Sequence, residues 1–321
     1  MARYQVLLTD YAWPDLEVER AILADAGADL VVAPAGDEAT LAALAASCQG
    51  ILTCWARVTR AVIEAAPGCR IVARLGIGLD NIDLEAAAER GMYVTNVPDY
   101  CQDEVAEHTL ALLLGLARNV GWFHQQTKSG RYDLASAPTM HRVAGQTLGL
   151  VGLGSIGRAV ARRAVALGMK VLATRQRMVG EPPEGVAYRS LDGLLAQSDF
   201  VSLHVPLTDA TRHLIGRREL SLMRPNAYLI NTARGGLIDH AALAAALAEG
   251  RLAGAALDVQ DPEPPDLSQP PYNDPRVIVT PHAAFTSVES LQTLRSRAAS
   301  AVAAVLTGRV PENIVVRPAA G

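Results

Sequence analysis

At 321 residues the chain is long enough for two domains, taking roughly 150 residues as a typical one. Half of it is hydrophobic and 19% is charged, which excludes a disordered chain and provides for packed cores. The formal net charge is −4 without any basic run, so no nucleic-acid-binding surface is expected. Cys48, Cys54, Cys69 and Cys101 follow no C-x-x-C spacing and have no neighbouring His pair. No metal site and no disulfide framework are expected from them, and a reducing cytoplasm is. The first residues lack the apolar core of a signal peptide. The most apolar stretch, residues 109–117, is far short of the ~20 needed to cross a bilayer, so no membrane partner is expected.

Short β-like runs alternate with Ala/Leu-rich amphipathic segments. Residues 5–9, 30–33, 50–54, 71–74 and 92–95 read as strands, and 17–26, 38–47, 60–66 and 84–90 as helices. A second series of strands covers 147–151, 170–174, 200–203, 227–231, 253–257 and 277–280, with helices at 156–167, 191–197 and 241–249 between them. Such alternation predicts β-α-β units and doubly wound parallel sheets. Between the series, residues 104–118 are apolar on nearly all sides, predicting a buried helix. Residues 287–306 read as a long helix able to fold back on the first sheet, followed by a short tail. Residues 261–275 contain six prolines and read as an irregular loop.

Gly152, Gly154 and Gly157 stand in G-x-G-x-x-G spacing, between the predicted strand 147–151 and a predicted helix. A tight strand-to-helix turn of this kind brings backbone N–H groups and a helix N-terminus to a pyrophosphate, so it reads as a dinucleotide site. The following strand ends in Thr174 and Arg175 where an acid usually binds the adenine ribose. A guanidinium there grips a 2′-phosphate, so NADP(H) is favoured over NAD(H), with Arg177 assisting.

Arg234, Glu263 and His282 each follow a predicted strand of the second series. Together they supply a carboxylate anchor for a 2-oxo acid, a tuner and a proton donor: Arg234 holds the acid, Glu263 favours the charged imidazole, and His282 protonates the carbonyl oxygen.

These residues, with Arg74-Leu-Gly-Ile-Gly-Leu-Asp-Asn-Ile-Asp83, Val105-Ala-Glu-His, the glycine turn, His204-Val-Pro-Leu and Pro281-His282, resemble the D-isomer-specific 2-hydroxyacid dehydrogenase family. The resemblance implies two α/β domains of Rossmann-like or flavodoxin-like doubly wound parallel-sheet type, with a closing cleft between them. Residues 101–285 would bind the dinucleotide, residues 1–100 with 286–321 would bind substrate, and hinges would lie near residues 98–101 and 285–286. The implied activity is NAD(P)-dependent oxidoreduction of a small 2-oxo or 2-hydroxy acid, with homodimers formed through the coenzyme domain. Carried over, Arg234, Glu263 and His282 are catalytic. Ser155, Ile156, His204, Val205, Pro206, Thr232, Ala233 and Asp258 join the glycine turn as coenzyme contacts, Asp258 at the carboxamide. Leu75, Gly76, Ile77 and Gly78 offer backbone N–H groups to the substrate carboxylate. Two positions depart from the family pattern: Arg175 replaces the usual acid, and Glu104 stands where a small hydroxyl residue is common.

Residues 97–101 and 282–285 are similar to the branch holding C-terminal-binding-protein corepressors and bacterial relatives. Phe285, with Trp55 or Tyr100, would then line the substrate pocket and favour apolar or aromatic 2-oxo acids over glyoxylate. The stretch 175–177 is instead reminiscent of NADP-dependent glyoxylate/hydroxypyruvate reductases, which keeps small substrates in view. The length argues against the added regulatory domain of many phosphoglycerate dehydrogenases. The alternative function is a coenzyme-sensing, dimeric corepressor-like binding protein with vestigial catalysis.

Overall fold

The computed structural model describes residues 3–175 and 180–318, so Arg177 lies outside the described residues. In chain order the elements begin β1 (Tyr4–Leu8), α1 (Glu17–Asp25), β2 (Ala28–Val32), α2 (Glu38–Ala45), β3 (Gly50–Thr53), α3 (Arg60–Glu64), β4 (Ile71–Arg74), α4 (Leu84–Glu89) and β5 (Tyr93–Thr95). They continue with α5 (Gln102–Ala117), α6 (Val120–Lys128), β6 (Thr147–Val151), α7 (Ser155–Ala166), β7 (Lys170–Thr174), β8 (Val186–Tyr188), α8 (Leu191–Gln197) and β9 (Phe200–Leu203). The last are α9 (Arg217–Leu222), β10 (Tyr228–Asn231), α10 (His240–Ala248), β11 (Gly254–Leu257), β12 (Val277–Val279), α11 (Val288–Leu306) and β13 (Ile314–Val316). The chain divides into two compact units, Met1–Tyr100 with Ser287–Gly321, and Cys101–Thr286.

The first unit carries a sheet in the order β13-β5-β4-β3-β1-β2. Its pairs are parallel except β13 against β5, so this sheet is mixed at one edge rather than wholly parallel. The tail supplying β13 is too short to announce itself as a strand; it is ordered by the edge of β5. α11 packs on α1, β3 and β4, and its Leu294, Ala298 and Val302 join the apolar cluster of β1 and β4.

The second unit's sheet runs β12-β11-β10-β9-β6-β7-β8, parallel throughout. β9 and β11 are buried at every residue, as expected when helices cover both faces. Separate apolar clusters line the two faces: α5 and α7 contribute to one, α8 to α10 to the other.

α5 begins at Gln102 and leaves one exposed stripe, Asp103, Glu107 and Ala111, so it is apolar on most sides but not on all. β8, α6 and α9 had no counterpart in the sequence reading. β8 is three residues long at a sheet edge, and α6 buries none of its residues, so neither imposes a periodic apolar signal. All four cysteines are buried, and none forms a disulfide. No helix among the described residues is long and apolar enough to cross a membrane.

Candidate active site

The glycine turn joins β6 to α7 at the carboxyl edge of the second sheet. Gly152 has φ 104°, and a Cβ there would collide with the carbonyl of His204, while a Cβ on Gly157 would strike the carbonyl of Gly152. Only glycine permits this close approach of turn, helix and β9. Gly154 is different: it is exposed, and a Cβ on it would meet nothing within 4 Å. It caps α7 without a side-chain hydrogen bond, and exposed Ser155 and half-buried Ile156 form the helix's first residues. An open glycine above a helix N-terminus is a cradle that fits a pyrophosphate.

Around this turn, Thr174 accepts the Gly152 N–H through its carbonyl at 2.9 Å. The Arg175 guanidinium lies over the Tyr188 ring, 5.2 Å from its centroid. His204 donates its N–H to Val151 at 2.7 Å and sets its ring Nε2 2.9 Å from Ser202 Oγ. Burial pushes the His204 imidazole down to about 4, so it is neutral at physiological pH. Val205 and Pro206 follow at the same end of β9.

β10, β11 and β12 are neighbours, and Arg234, Glu263 and His282 follow them in that order. Asn231 accepts the Ala233 N–H at 3.0 Å and donates Nδ2 to the Arg234 carbonyl at 2.8 Å, which folds the Arg234 turn. A Cβ on Gly235 would overlap the Gln260 carbonyl, so this turn lies directly on the backbone that leads to Glu263. Glu263 Oε2 is 2.9 Å from His282 Nδ1, and its Oε1 accepts the Gln260 N–H at 2.9 Å. Phe285 meets the His282 ring edge-on, with centroids 6.1 Å apart. The structure therefore brings Glu263, His282 and Phe285 together on adjoining loops beside the Arg234 turn.

Asp258 is fully buried. Its Oδ1 accepts from Thr280 Oγ1 at 2.6 Å and from the Ala283 N–H at 2.9 Å, and its Oδ2 from the Ala284 N–H at 3.0 Å. Burial pushes its pKa up, but these donors and His108 outweigh it and hold the carboxyl at about 2. The carboxylate is thus engaged by the loop that bears His282. Thr232, also buried, sets its hydroxyl 2.9 Å from that of Thr109 on α5. The sequence assigns no role to His108, Thr280 or Gln260. His108 sits in the quoted Val-Ala-Glu-His stretch, but spacing alone does not say what it touches.

The remaining predicted residues belong to the first unit and are described within it. Trp55, Leu75 to Gly78 and Tyr100 follow β3, β4 and β5, at the carboxyl edge of that sheet. Leu75 donates its N–H to Thr53 at 2.8 Å, so it anchors the loop rather than offering that group to a ligand. Gly76 and Ile77 are held by their carbonyls, which accept from Val97 N at 3.0 Å and Asn96 Nδ2 at 2.8 Å. The main-chain N–H of Trp55 donates to Asp10 Oδ2 at 2.7 Å. No cluster of potential metal ligands occurs among the described residues.

Residues 110–284 match the family model for the NAD-binding domain of D-isomer-specific 2-hydroxyacid dehydrogenases. The chain belongs to that family. It is 44% identical over 261 residues to a glyoxylate reductase of Korarchaeum cryptofilum, covering 79% of this chain and 78% of that protein. The TT0316 protein of Thermus thermophilus superposes with a TM-score of 0.88 at 36% identity, over 97% of this chain and all of that one (100%). D-Lactate dehydrogenase from Aquifex aeolicus, solved with NAD and lactic acid, gives 0.85 at 29% identity, covering 98% and 100%. This dehydrogenase is accordingly an oxidoreductase acting on the CH–OH group of a 2-hydroxy acid with a nicotinamide coenzyme. Its relatives are enzymes, and none of these similarities supports the corepressor-like alternative.

Proposed function

We propose that the enzyme is an NADP(H)-preferring 2-oxo acid reductase whose acid/base is His282. The observation that carries this reading is the 2.9 Å contact of His282 Nδ1 with Glu263, on loops at the carboxyl edge of a sheet that also bears the dinucleotide turn. With Nδ1 turned to Glu263, Nε2 is the ring atom that gives its proton to the substrate's carbonyl oxygen in reduction and takes it back in oxidation. Glu263 stabilises the imidazolium and fixes the ring's orientation. Arg234 binds the acid's carboxylate and polarises the carbonyl. The 75–78 loop, minus the N–H of Leu75, contributes further contacts to that carboxylate.

Gly152, Gly154, Ser155, Ile156 and Gly157 cradle the pyrophosphate, with Thr174, His204 to Pro206, Thr232 and Ala233 alongside and Asp258 near the carboxamide. When bound, the coenzyme supplies the hydride equivalent of the reduction. Arg175, steadied over Tyr188, reads the 2′-phosphate and takes the place of a ribose-binding acid. The name of the Korarchaeum cryptofilum relative favours a small substrate of the glyoxylate class. Phe285, edge-on to His282, favours a larger apolar acid, and this second reading extends to Trp55 and Tyr100. Residues 120–134 expose Val120, Tyr132 and Leu134, at 59%, 94% and 80%, apolar surface that a second copy would cover in a cytoplasmic homodimer.

The test is oxidation of NADPH and NADH against glyoxylate, pyruvate and phenylpyruvate, with His282→Ala alongside. Turnover preferring NADPH and lost in the variant supports the reading. An NADH preference removes the role given to Arg175, and an active His282→Ala enzyme removes the acid/base assignment.

A further inference from the structure

The loop that carries His282 is held from two sides, by Gln260 after β11 and by His108 on α5. His282 has φ 53°, a left-handed conformation that a non-glycine residue adopts only when its surroundings impose it. Its N–H donates to the Asp258 carbonyl at 2.7 Å, and the next two N–H groups bind the Asp258 carboxylate. Those contacts fix the loop to β11, and Thr280, where the loop begins, is tied there too, its N–H to the Leu257 carbonyl at 3.0 Å and its hydroxyl to Asp258 at 2.6 Å; two further side chains converge on Thr280.

Gln260 provides one. It is 7% exposed, and its side-chain Nε2 donates to the Leu257 carbonyl at 3.0 Å and to the Thr280 carbonyl at 3.1 Å. A primary amide nitrogen has two hydrogens, and both are engaged here. The same residue's backbone N–H binds Glu263, so Gln260 ties together the loop of the base and the loop of its carboxylate partner.

His108 provides the other, from α5. Its Nε2 is 3.1 Å from Thr280 Oγ1 and 3.4 Å from Asp258 Oδ1. Thr280 has one hydroxyl hydrogen, and the 2.6 Å contact with Asp258 claims it. His108 Nε2 therefore faces two acceptors, and the hydrogen lies on that nitrogen.

We propose that Gln260 and His108 are positioning residues that hold the His282 loop so that the imidazole stays against Glu263; the inference rests on His282 being the acid/base. Gln260 acts through two carbonyls and the Glu263 loop, His108 through the Thr280 hydroxyl and Asp258. A displacement of about 1 Å at a reacting group costs up to roughly a hundredfold in rate, so loss of either clamp falls on turnover rather than on binding.

The experiment compares Gln260→Met, His108→Leu and His108→Gln with wild type and His282→Ala, using glyoxylate and NADPH. Steady-state kinetics are read beside NADPH affinity from coenzyme fluorescence and melting curves of each protein. Gln260→Met and His108→Leu are expected to lower kcat roughly ten- to hundredfold, with the KM for the acid and the NADPH Kd within about threefold of wild type. His108→Gln, which restores an amide N–H near the position of Nε2, is expected to recover most of the rate. The proposal is overturned if kcat stays within about twofold in both variants, if Kd weakens as much as kcat falls, or if His108→Gln is no better than His108→Leu. Should Gln260→Met not fold, the two His108 variants decide alone. An active His282→Ala enzyme overturns the acid/base assignment itself. An inactive one beside unimpaired Gln260 and His108 variants overturns only the positioning role.

Discussion

His282 and Glu263 stand 19 residues apart in sequence, yet Nδ1 and Oε2 meet at 2.9 Å between loops that follow adjacent strands. Replacing the carboxylate by an amide of the same shape leaves one acceptor oxygen where two now serve His282 Nδ1 and the Gln260 N–H. Glu263→Gln is therefore expected to lower the rate of reduction about ten- to a hundredfold with coenzyme affinity unchanged. In the wild-type enzyme, reduction uses the protonated ring and oxidation the neutral one. The rate of reduction should fall and that of oxidation rise as pH increases; measured pH profiles that rise together would remove His282 as sole acid/base.

Two glycines of the coenzyme turn make a contrasting pair. A methyl group at Gly157 would run into the Gly152 carbonyl, whereas one at Gly154 would meet nothing within 4 Å. Gly157→Ala is expected to destabilise the protein by about 1–3 kcal/mol through overpacking. Gly154→Ala should melt like wild type but fill space that the pyrophosphate needs, weakening coenzyme binding by roughly tenfold or more. Thermal melts paired with coenzyme titrations separate the two. Equal effects of both substitutions on stability would show that the turn is merely structural.

This contrast also marks how far the sequence could be read. Gly152, Gly154 and Gly157 were legible because strand, turn and helix are consecutive, so spacing carries the geometry. The alternation of the two strand series was legible for the same reason, down to β6, β7 and β9, whose bounds agree with the pattern. Glu263 and His282 could be singled out only by their order behind that turn, since nothing in 19 intervening residues encodes a 2.9 Å contact. The roles of His108 and Gln260 were not legible because both meet at Thr280, 172 and 20 residues away, a convergence that no local spacing encodes. The mixed character of the first sheet was hidden likewise: β13 gains its identity from pairing with β5, not from its own three residues.

Arg175 lies over Tyr188, and that stacking bears on coenzyme choice. Arg175→Asp is expected to invert the preference, weakening NADPH and strengthening NADH, because a carboxylate repels the 2′-phosphate and accepts from ribose hydroxyls. Tyr188→Leu should weaken NADPH severalfold, on the order of 1 kcal/mol, by releasing the guanidinium from its platform. Binding of 2′,5′-ADP against 5′-AMP by calorimetry reads both without turnover. If 2′,5′-ADP bound no better than 5′-AMP in wild type, Arg175 would have no phosphate to read.

In the first unit, Arg295 of α11 forms hydrogen bonds of 2.9 Å to both oxygens of the fully buried Glu19 on α1, and of 2.8 Å to Asp15. Its guanidinium also lies 5.7 Å from the Trp13 ring centroid. Arg295→Met would leave the Glu19 carboxylate buried without its partner, at a cost of roughly 3–5 kcal/mol. Removing both charges in Arg295→Met with Glu19→Leu should recover much of that loss, because the desolvated carboxylate is gone. Urea unfolding of the two single variants and the double gives the coupling directly. Additive losses would mean that the pair does not bind α11 to α1.

Stability toward acid should report on His204. Burial holds its folded-state pKa near 4, below the ~6.5 of an imidazole in the unfolded chain. Between those values the unfolded chain binds a proton that the folded one does not, so stability is complete above about pH 6.5 and is lost as pH falls toward about 4. The shift from about 6.5 to about 4 corresponds to about 3 kcal/mol. Asp258, held near 2, adds a second loss only at lower pH, between about 4 and 2, where its carboxylate takes up a proton. Denaturant unfolding of the coenzyme-free protein at about pH 7 and about pH 4.5 should therefore show a smaller drop for His204→Asn than for wild type. An identical drop in the two proteins would place the acid sensitivity on other groups.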